Sequence, residues 1–356
     1  MNNESGKIKI TWADVEKNQA TEAPLPVVRP VQAAEKKDWG TVASTSTSAS
    51  VDEGGGGIWL KGWFYLGLAG LVSAFLAWAI CEPSFFDYDY TGWGNYFLFP
   101  LMLIFMSIGF GTVESIVERT WTRAITRGLA SIGLGLIFGI ALSRLADLLY
   151  GALQFFIIQM GADESKLLSN PVQWIVRGIA WAVFGIAGGL VFGIVSKSGK
   201  KTASGIWGGM LGAGIGGMLF DPITLLSGAA EPSRAIGMSI LGCVSGISIG
   251  LVESAMKERW LYVTGGPLAG KQFVLYQDKT IIGKSQTSTI YLFKDPSIQE
   301  THAVIEKRGV HTFITANGPT VVSGVNLQLG VARLLRSGDV IQVGRYTFTY
   351  SEKTGD

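Results

Sequence analysis

The chain has 356 residues, 48% hydrophobic and only 16% charged, with a net charge of +2. Soluble domains average about 25% charged residues, so this composition argues against one water-soluble globule. Two isolated cysteines (Cys81, Cys243) and two histidines (His302, His311) argue against a disulfide framework, a Cys-based zinc site or a His metal cluster.

Residues 1–57 hold a Thr/Ser/Ala/Val tract at 41–50, a glycine run at 54–57 and prolines at Pro24, Pro26 and Pro30. Such a segment buries too little apolar area to offset its ordering entropy, so a disordered cytoplasmic tail is expected. One island, 7–12, alternates charged and apolar residues. No cleavable signal peptide is expected, because the first apolar run starts near residue 58.

Residues 58–255 are expected to form a polytopic transmembrane domain. A spanning helix needs about 20 mainly apolar residues. Six segments approach this, at 63–80, 96–113, 128–143, 178–195, 204–220 and 235–252. The third could extend through 148–160, or that stretch could lie at the membrane interface. Lys and Arg favour cytoplasmic loops. Arg119, Arg123 and Arg127 crowd one turn, Lys197, Lys200 and Lys201 another, and Lys257 and Arg259 follow the last span. The 81–95 loop has acids but no Lys or Arg. Both termini are therefore expected in the cytoplasm, with the protein in a bacterial inner membrane. The 144–177 loop, with Arg144, Lys166 and Arg177, fits this alternation least.

The spans also repeat. Arg177-Gly-Ile-Ala opens the fourth and Arg234-Ala-Ile-Gly the sixth; Gly185, Gly189 and Gly193 then match Gly242, Gly246 and Gly250. Gly-Thr-Val-Glu-Ser at 111–115 matches Gly-Leu-Val-Glu-Ser at 250–254. Glycines four apart share a helix face and let backbones approach closely in lipid, so these six glycines are expected to pack helices as a glycine zipper. Glu114 and Glu253 read as boundary residues at cytoplasmic ends.

From residue 260 the pattern becomes short period-2 runs separated by Gly and Asp turns, the signature of a β-sandwich. Ten strands are predicted, at 261–264, 272–276, 280–282, 289–292, 303–307, 312–315, 320–322, 326–328, 340–342 and 346–350. The fold class is thus a Gly-rich transmembrane helical bundle followed by a C-terminal β-sandwich over 260–356.

Five segments carry a resemblance: Gly265-Gly-Pro-Leu-Ala-Gly-Lys-Gln-Phe-Val-Leu275, Ile281-Ile-Gly283-Lys284, His302-Ala-Val-Ile305, Thr320-Val-Val-Ser-Gly324 and Leu335-Arg-Ser-Gly338-Asp339-Val-Ile-Gln-Val-Gly344. Their order and spacing resemble a forkhead-associated (FHA) domain. The resemblance implies an eleven-stranded sandwich that binds phosphothreonine peptides with the loops at one end. It places Lys284 where the family usually has a phosphate-gripping Arg, and Gln299 where it has a Ser. Glu300 follows, at an often basic position. Lys284, Ser285, Gln299 and Asn317 are then the expected peptide-binding residues, and His302, Gly283, Gly338 and Asp339 structural ones. Lysine keeps the charge but lacks the planar fork of arginine.

No nucleophile–base arrangement or phosphate-binding GxxxxGK[ST] loop is present, so no enzyme activity, cofactor, metal or nucleic-acid partner is expected. The expected function is a membrane-anchored adaptor in signalling that presents the divergent FHA domain to a cytoplasmic protein, with or without threonine phosphorylation. The alternative is a channel or transporter regulated by that domain. Expected partners are the bilayer, this cytoplasmic protein and, for the bundle, further copies of the chain. Thr11, with Asp14 three residues on, could make the tail an in-cis ligand.

Overall fold

The computed structural model describes residues 57–86, 92–227 and 230–353. The expected disordered tail, the 7–12 island, Thr11, Asp87 and Asp89 lie outside the described residues.

Among the described residues, six helices are long and apolar enough to cross a membrane. They are α1 (Gly62–Cys81), α2 (Trp93–Val117), α3 (Trp121–Gln159), α4 (Pro171–Val195), α5 (Gly199–Ser227) and α6 (Ala230–Met256). Each extends past its apolar stretch, because turns bearing Arg123, Lys201 or Glu253 remain helical. Residues 148–160 continue α3 without a break. Its 39 residues measure about 58 Å at 1.5 Å per residue, well beyond a hydrocarbon core of about 30 Å. At α4 the start is sharp: the Asn170 side chain accepts from Val172 N–H at 3.0 Å, and Pro171 occupies the first turn, where it lacks no needed donor.

The helices form a ring in chain order, closed by α6 on α1. Glycines set how closely neighbours approach. A Cβ on Gly189 would lie 2.0 Å from Gly205 O, and one on Gly185 2.0 Å from Gly209 O. The α1–α6 pair repeats this, with Gly242 against Gly70 and Gly246 against Leu66. Gly193 and Gly250 face Thr202 and Trp63. A second row on α5 (Gly208, Gly212, Gly216) meets Ile249, Ser245 and Leu241 of α6. The α2–α3 and α4–α5 turns share one closure, a left-handed basic residue (Arg119 φ 57°, Lys197 φ 52°) followed by an amide bonded five residues back. Bulky buried side chains, including Met102, Met106, Phe110, Phe184 and Phe192, fill the core of the bundle. Large apolar residues on the outer face of α3 stay exposed, Leu129 at 67% and Leu148 at 72%.

The C-terminal domain is a two-sheet sandwich of eleven strands. They are β1 (Arg259–Gly265), β2 (Gln272–Val274), β3 (Lys279–Gly283), β4 (Ile290–Tyr291), β5 (Ala303–Arg308), β6 (His311–Ala316), β7 (Thr320–Val322), β8 (Val325–Asn326), β9 (Ala332–Leu335), β10 (Val340–Val343) and β11 (Tyr346–Glu352). One sheet runs β2-β1-β11-β10-β7-β8, the other β4-β3-β5-β6-β9. The inward positions of the alternating runs (Leu261, Val263, Ile282, Ile305, Ile314, Ile341, Phe348) form its core. The strand beyond the ten predicted is β9: Ala332–Leu335 pairs with β6 without a period-2 pattern of its own.

Candidate functional site

Three loops meet at one end of the sandwich: β3–β4, β4–β5 and β6–β7. His302, 1% exposed, holds two of them. Its Nδ1 accepts from Gln299 N–H at 3.1 Å, so Nε2 carries the proton and donates to Pro319 O at 3.0 Å. The His302 carbonyl accepts from the backbone N–H groups of Asn317 (2.8 Å) and Gly318 (3.0 Å). Gly318 must be glycine, since a Cβ there would lie 2.6 Å from the imidazole. Gly283 is equally confined, with a Cβ falling 2.0 Å from Glu300 O. This contact lets Lys284 N–H donate to Gln299 O at 3.0 Å.

Lys284 and Gln299 are thereby neighbours, with exposed side chains. Asn317, also exposed, donates through Nδ2 to Thr301 O at 3.3 Å, beside the same loop. Ser285 turns toward its own loop: its Oγ lies 2.7 Å from Thr287 Oγ1 and accepts from Thr287 N–H at 3.2 Å. Asp295 fastens the β4–β5 loop, accepting from Ser297 N–H and Oγ–H and from Arg345 N–H. These donors hold its carboxyl below the usual carboxylate range. Gly338 (φ 95°) and Asp339 shape the β9–β10 turn away from these loops; Asp339 accepts from Ser323 Oγ–H at 2.7 Å and from Arg336 N–H at 2.8 Å.

Replacing His302 with alanine should leave the Gln299 N–H and Pro319 O without protein partners and open a void. We expect a loss of about 2–4 kcal/mol in the sandwich, read by denaturant unfolding of the C-terminal domain. Faster amide exchange at 299–302 and 317–319 should accompany it. Unchanged exchange there would contradict this role for the ring.

A second cluster, which sequence reasoning missed, lies where the helices meet the sandwich. Lys201 Nζ is 2.8 Å from both carboxylate oxygens of Glu114 and 3.3 Å from Glu253 Oε1. Arg127 joins Glu114 Oε2 at 3.3 Å and Ser115 Oγ at 3.2 Å. From the sandwich, Tyr276 donates to Glu253 Oε1 at 2.7 Å, and Lys271, 1% exposed, lies 3.2 Å from Glu118 Oε1. Burial and the neighbouring Glu253 carboxylate push the Tyr276 phenol well above its usual range, so it stays a donor. A cavity of about 640 Å³ lies beside this cluster, lined by both domains. Arg123 and Thr122 of α3 reach the β3–β4 loop directly. The basic turns had suggested only membrane orientation, and no motif marks either contact.

Among the described residues, no group of three or more His, Cys, Asp or Glu is placed to hold a metal ion.

The FHA domain family model matches residues 280–344. A curated relative, the oxoglutarate dehydrogenase inhibitor of Corynebacterium jeikeium (strain K411), is 30% identical over 90 residues. That match covers 25% of this chain and 62% of the relative, less than two thirds of its length. Among solved structures, the FHA domain of an Arabidopsis thaliana hypothetical protein is 24% identical, covering 28% of this chain and 89% of that one at a TM-score of 0.26. The FHA domain of the CT664 protein from Chlamydia trachomatis is 23% identical, covering 28% and 100% at a TM-score of 0.25. The β-sandwich that follows the six apolar helices is thus an FHA domain, a protein-interaction module.

Proposed function

We propose that this chain is a membrane-anchored adaptor. Its six helices span the bilayer, and its FHA domain binds a phosphothreonine-bearing segment of a partner protein at the cytoplasmic face. The observation that carries this reading is the convergence of Lys284, Gln299 and Asn317, all exposed, on one edge braced by His302. Lys284 supplies the charge for the phosphate, and Ser285 and Asn317 the neighbouring donors. Glu300 and the missing guanidinium fork weaken the grip. The domains in this reading are a tail at 1–57, a membrane region at 58–255 and the FHA domain at 260–356.

The charge distribution supports the orientation. The basic turns carrying Arg123, Arg127 and Lys201 lie at the end of the bundle that touches the sandwich, through Arg123 on Ser288 and the Lys201–Glu253–Tyr276 chain. That end also carries Arg119, Lys197, Lys200 and Lys257, whereas the opposite end holds fewer basic residues, Arg144, Lys166, Arg177 and Arg234. The positive-inside bias counts Lys and Arg near the ends of spans, whatever acids accompany them, so this excess supports a sandwich-bearing end that faces the cytoplasm. The glycine rows serve as a zipper that packs the anchor tightly. A conducting role meets an obstacle in the Phe and Met side chains that fill the bundle core.

The test uses the full chain in lipid nanodiscs against matched threonine and phosphothreonine peptide libraries. We expect phosphopeptides to bind about tenfold tighter, Lys284→Ala to remove that preference, and Lys284→Arg to strengthen it a few-fold. Equal binding of both libraries would end the phosphate-dependent reading. No peptide binding at all would end the adaptor reading.

A further inference from the structure

The β3–β4 loop, which carries Lys284 and Ser285, is braced from outside its own domain. Arg123, the third residue of α3, sends its guanidinium to three backbone carbonyls of that loop. Nη2 donates to Gln286 O at 3.1 Å and to Ser288 O, and Nη1 reaches Thr289 O at 3.5 Å. Nη1 also lies 3.5 Å from Glu118 Oε2, which fixes the fork from behind. The adjacent Thr122 hydroxyl donates to Gln286 Oε1 at 2.6 Å. Arg119, held left-handed at the α2–α3 turn, places its guanidinium 5.4 Å from the centre of the Phe293 ring, just past β4. Together these contacts run from Gln286 to Phe293 and stop short of Lys284, whose side chain stays exposed.

A loop with three carbonyls turned toward one cation has little freedom to rearrange while that cation is held. Ser288 ties the same arrangement to the next loop, because its Oγ donates to Glu300 O at 3.2 Å. The order imposed by Arg123 thus extends from the helix entry, through residues 286–289, to the Glu300 backbone beside Gln299. We infer that Arg123 is a positioning residue for the recognition loops, so that the affinity of the FHA domain depends on the helical domain it sits on. Arg123 need not touch the ligand; it fixes the backbone that aims Lys284 and Ser285. This inference rests on the proposed peptide-binding role of that edge.

Arginine suits the task for a geometric reason. A planar fork reaches several carbonyls at once and keeps an oxygen partner behind it, whereas a lysine ammonium is a single point charge on a flexible stem. Arg123→Lys should therefore keep the charge and lose most of the loop order, a result that a purely electrostatic contact would not give.

The experiment compares wild type, Arg123→Ala and Arg123→Lys, each as the full chain in nanodiscs. Amide exchange is followed at 285–290, with β10 and β11 as an internal reference. The ratio of phosphothreonine to threonine peptide affinity is measured in parallel. Both variants should exchange on the order of tenfold faster at 285–290, with the reference strands unchanged, and the affinity ratio should fall by a similar factor. If Arg123→Ala does not accumulate, Arg123→Lys decides by the same readouts. Unchanged exchange at 285–290 overturns the inference. So does faster exchange with an unchanged ratio in a wild type that prefers phosphopeptide. If wild type binds neither peptide, the adaptor reading fails on its own, while the exchange result still decides whether Arg123 orders the loop.

Discussion

Gly189→Ala should destabilise the helical domain by about 3 kcal/mol or more, at the upper end of overpacking costs. The added methyl would fall 2.0 Å from Gly205 O and 2.2 Å from Gly205 C, both backbone atoms that no rotamer change can move. The α4 and α5 backbones must then separate, which loosens the contacts along their shared face. In the proposed bilayer setting no hydrophobic exclusion would push them back together, because helix association in lipid depends on van der Waals contact. Gly133→Ala and Gly151→Ala on α3 are the controls, since a Cβ at either position meets nothing within 4 Å. Those two should be neutral or slightly stabilising, given alanine's better helix propensity. The measurement is the fraction of full chain that stays monodisperse after graded heating in detergent. If Gly189→Ala tracks Gly133→Ala, the backbone contact between α4 and α5 is not what holds that pair.

The glycine rows also show how far the sequence could be read. Gly185, Gly189 and Gly193 were legible as one helix face because their spacing is a helix property. Which helix that face meets was not legible: α4 packs on the next helix, whereas the matching row on α6 packs on α1, the far end of the chain. Spacing fixes a face, while its partner depends on how the ring closes. Helix cores were readable from hydropathy, but their ends ran longer, since hydropathy cannot follow a helix into turns bearing Arg123 or Lys201. In the sandwich, inward residues of alternating runs were readable, and β9 was not, because Ala332–Leu335 takes its place from pairing with β6.

The proposed peptide-binding edge divides in the same way. Lys284, Gln299 and Asn317 could be placed on neighbouring loops because the FHA resemblance supplies an order of strands. Arg123 could not, since its contacts join residues 163 to 166 positions apart and no local pattern encodes them. The same holds for Lys271 and Glu118, each of which looks in the sequence like an ordinary surface charge. Glu114 and Glu253 were readable as residues at helix ends. Their shared dependence on Lys201 was not.

That shared dependence makes Lys201 the second position of large effect. Lys201 is 6% exposed and compensates two carboxylates from different helices, Glu114 of α2 and Glu253 of α6. Lys201→Met removes the cation and keeps the aliphatic volume. Glu114 is then left with Arg127 alone, and Glu253 with the Tyr276 hydroxyl. Removing one member of a buried ion pair typically costs about 3–5 kcal/mol, because the remaining charge is stranded. Lys200→Ala is the natural comparison: it removes the neighbouring pair with Glu258, at the exposed surface, and should cost no more than about 1 kcal/mol. Since Glu253 also receives Tyr276, the damage should cross into the FHA domain as faster amide exchange at 271–276. Neutralising the stranded acids, in the triple variant Lys201→Met, Glu114→Gln, Glu253→Gln, should recover most of the loss, because the penalty comes from the uncompensated charge. Thermal unfolding of the four proteins distinguishes these cases. A Lys201→Met variant as stable as Lys200→Ala would mean that water reaches the cluster and screens it. The cavity of about 640 Å³ beside it would then be a wet cleft, and the two domains would not be tied together by charge.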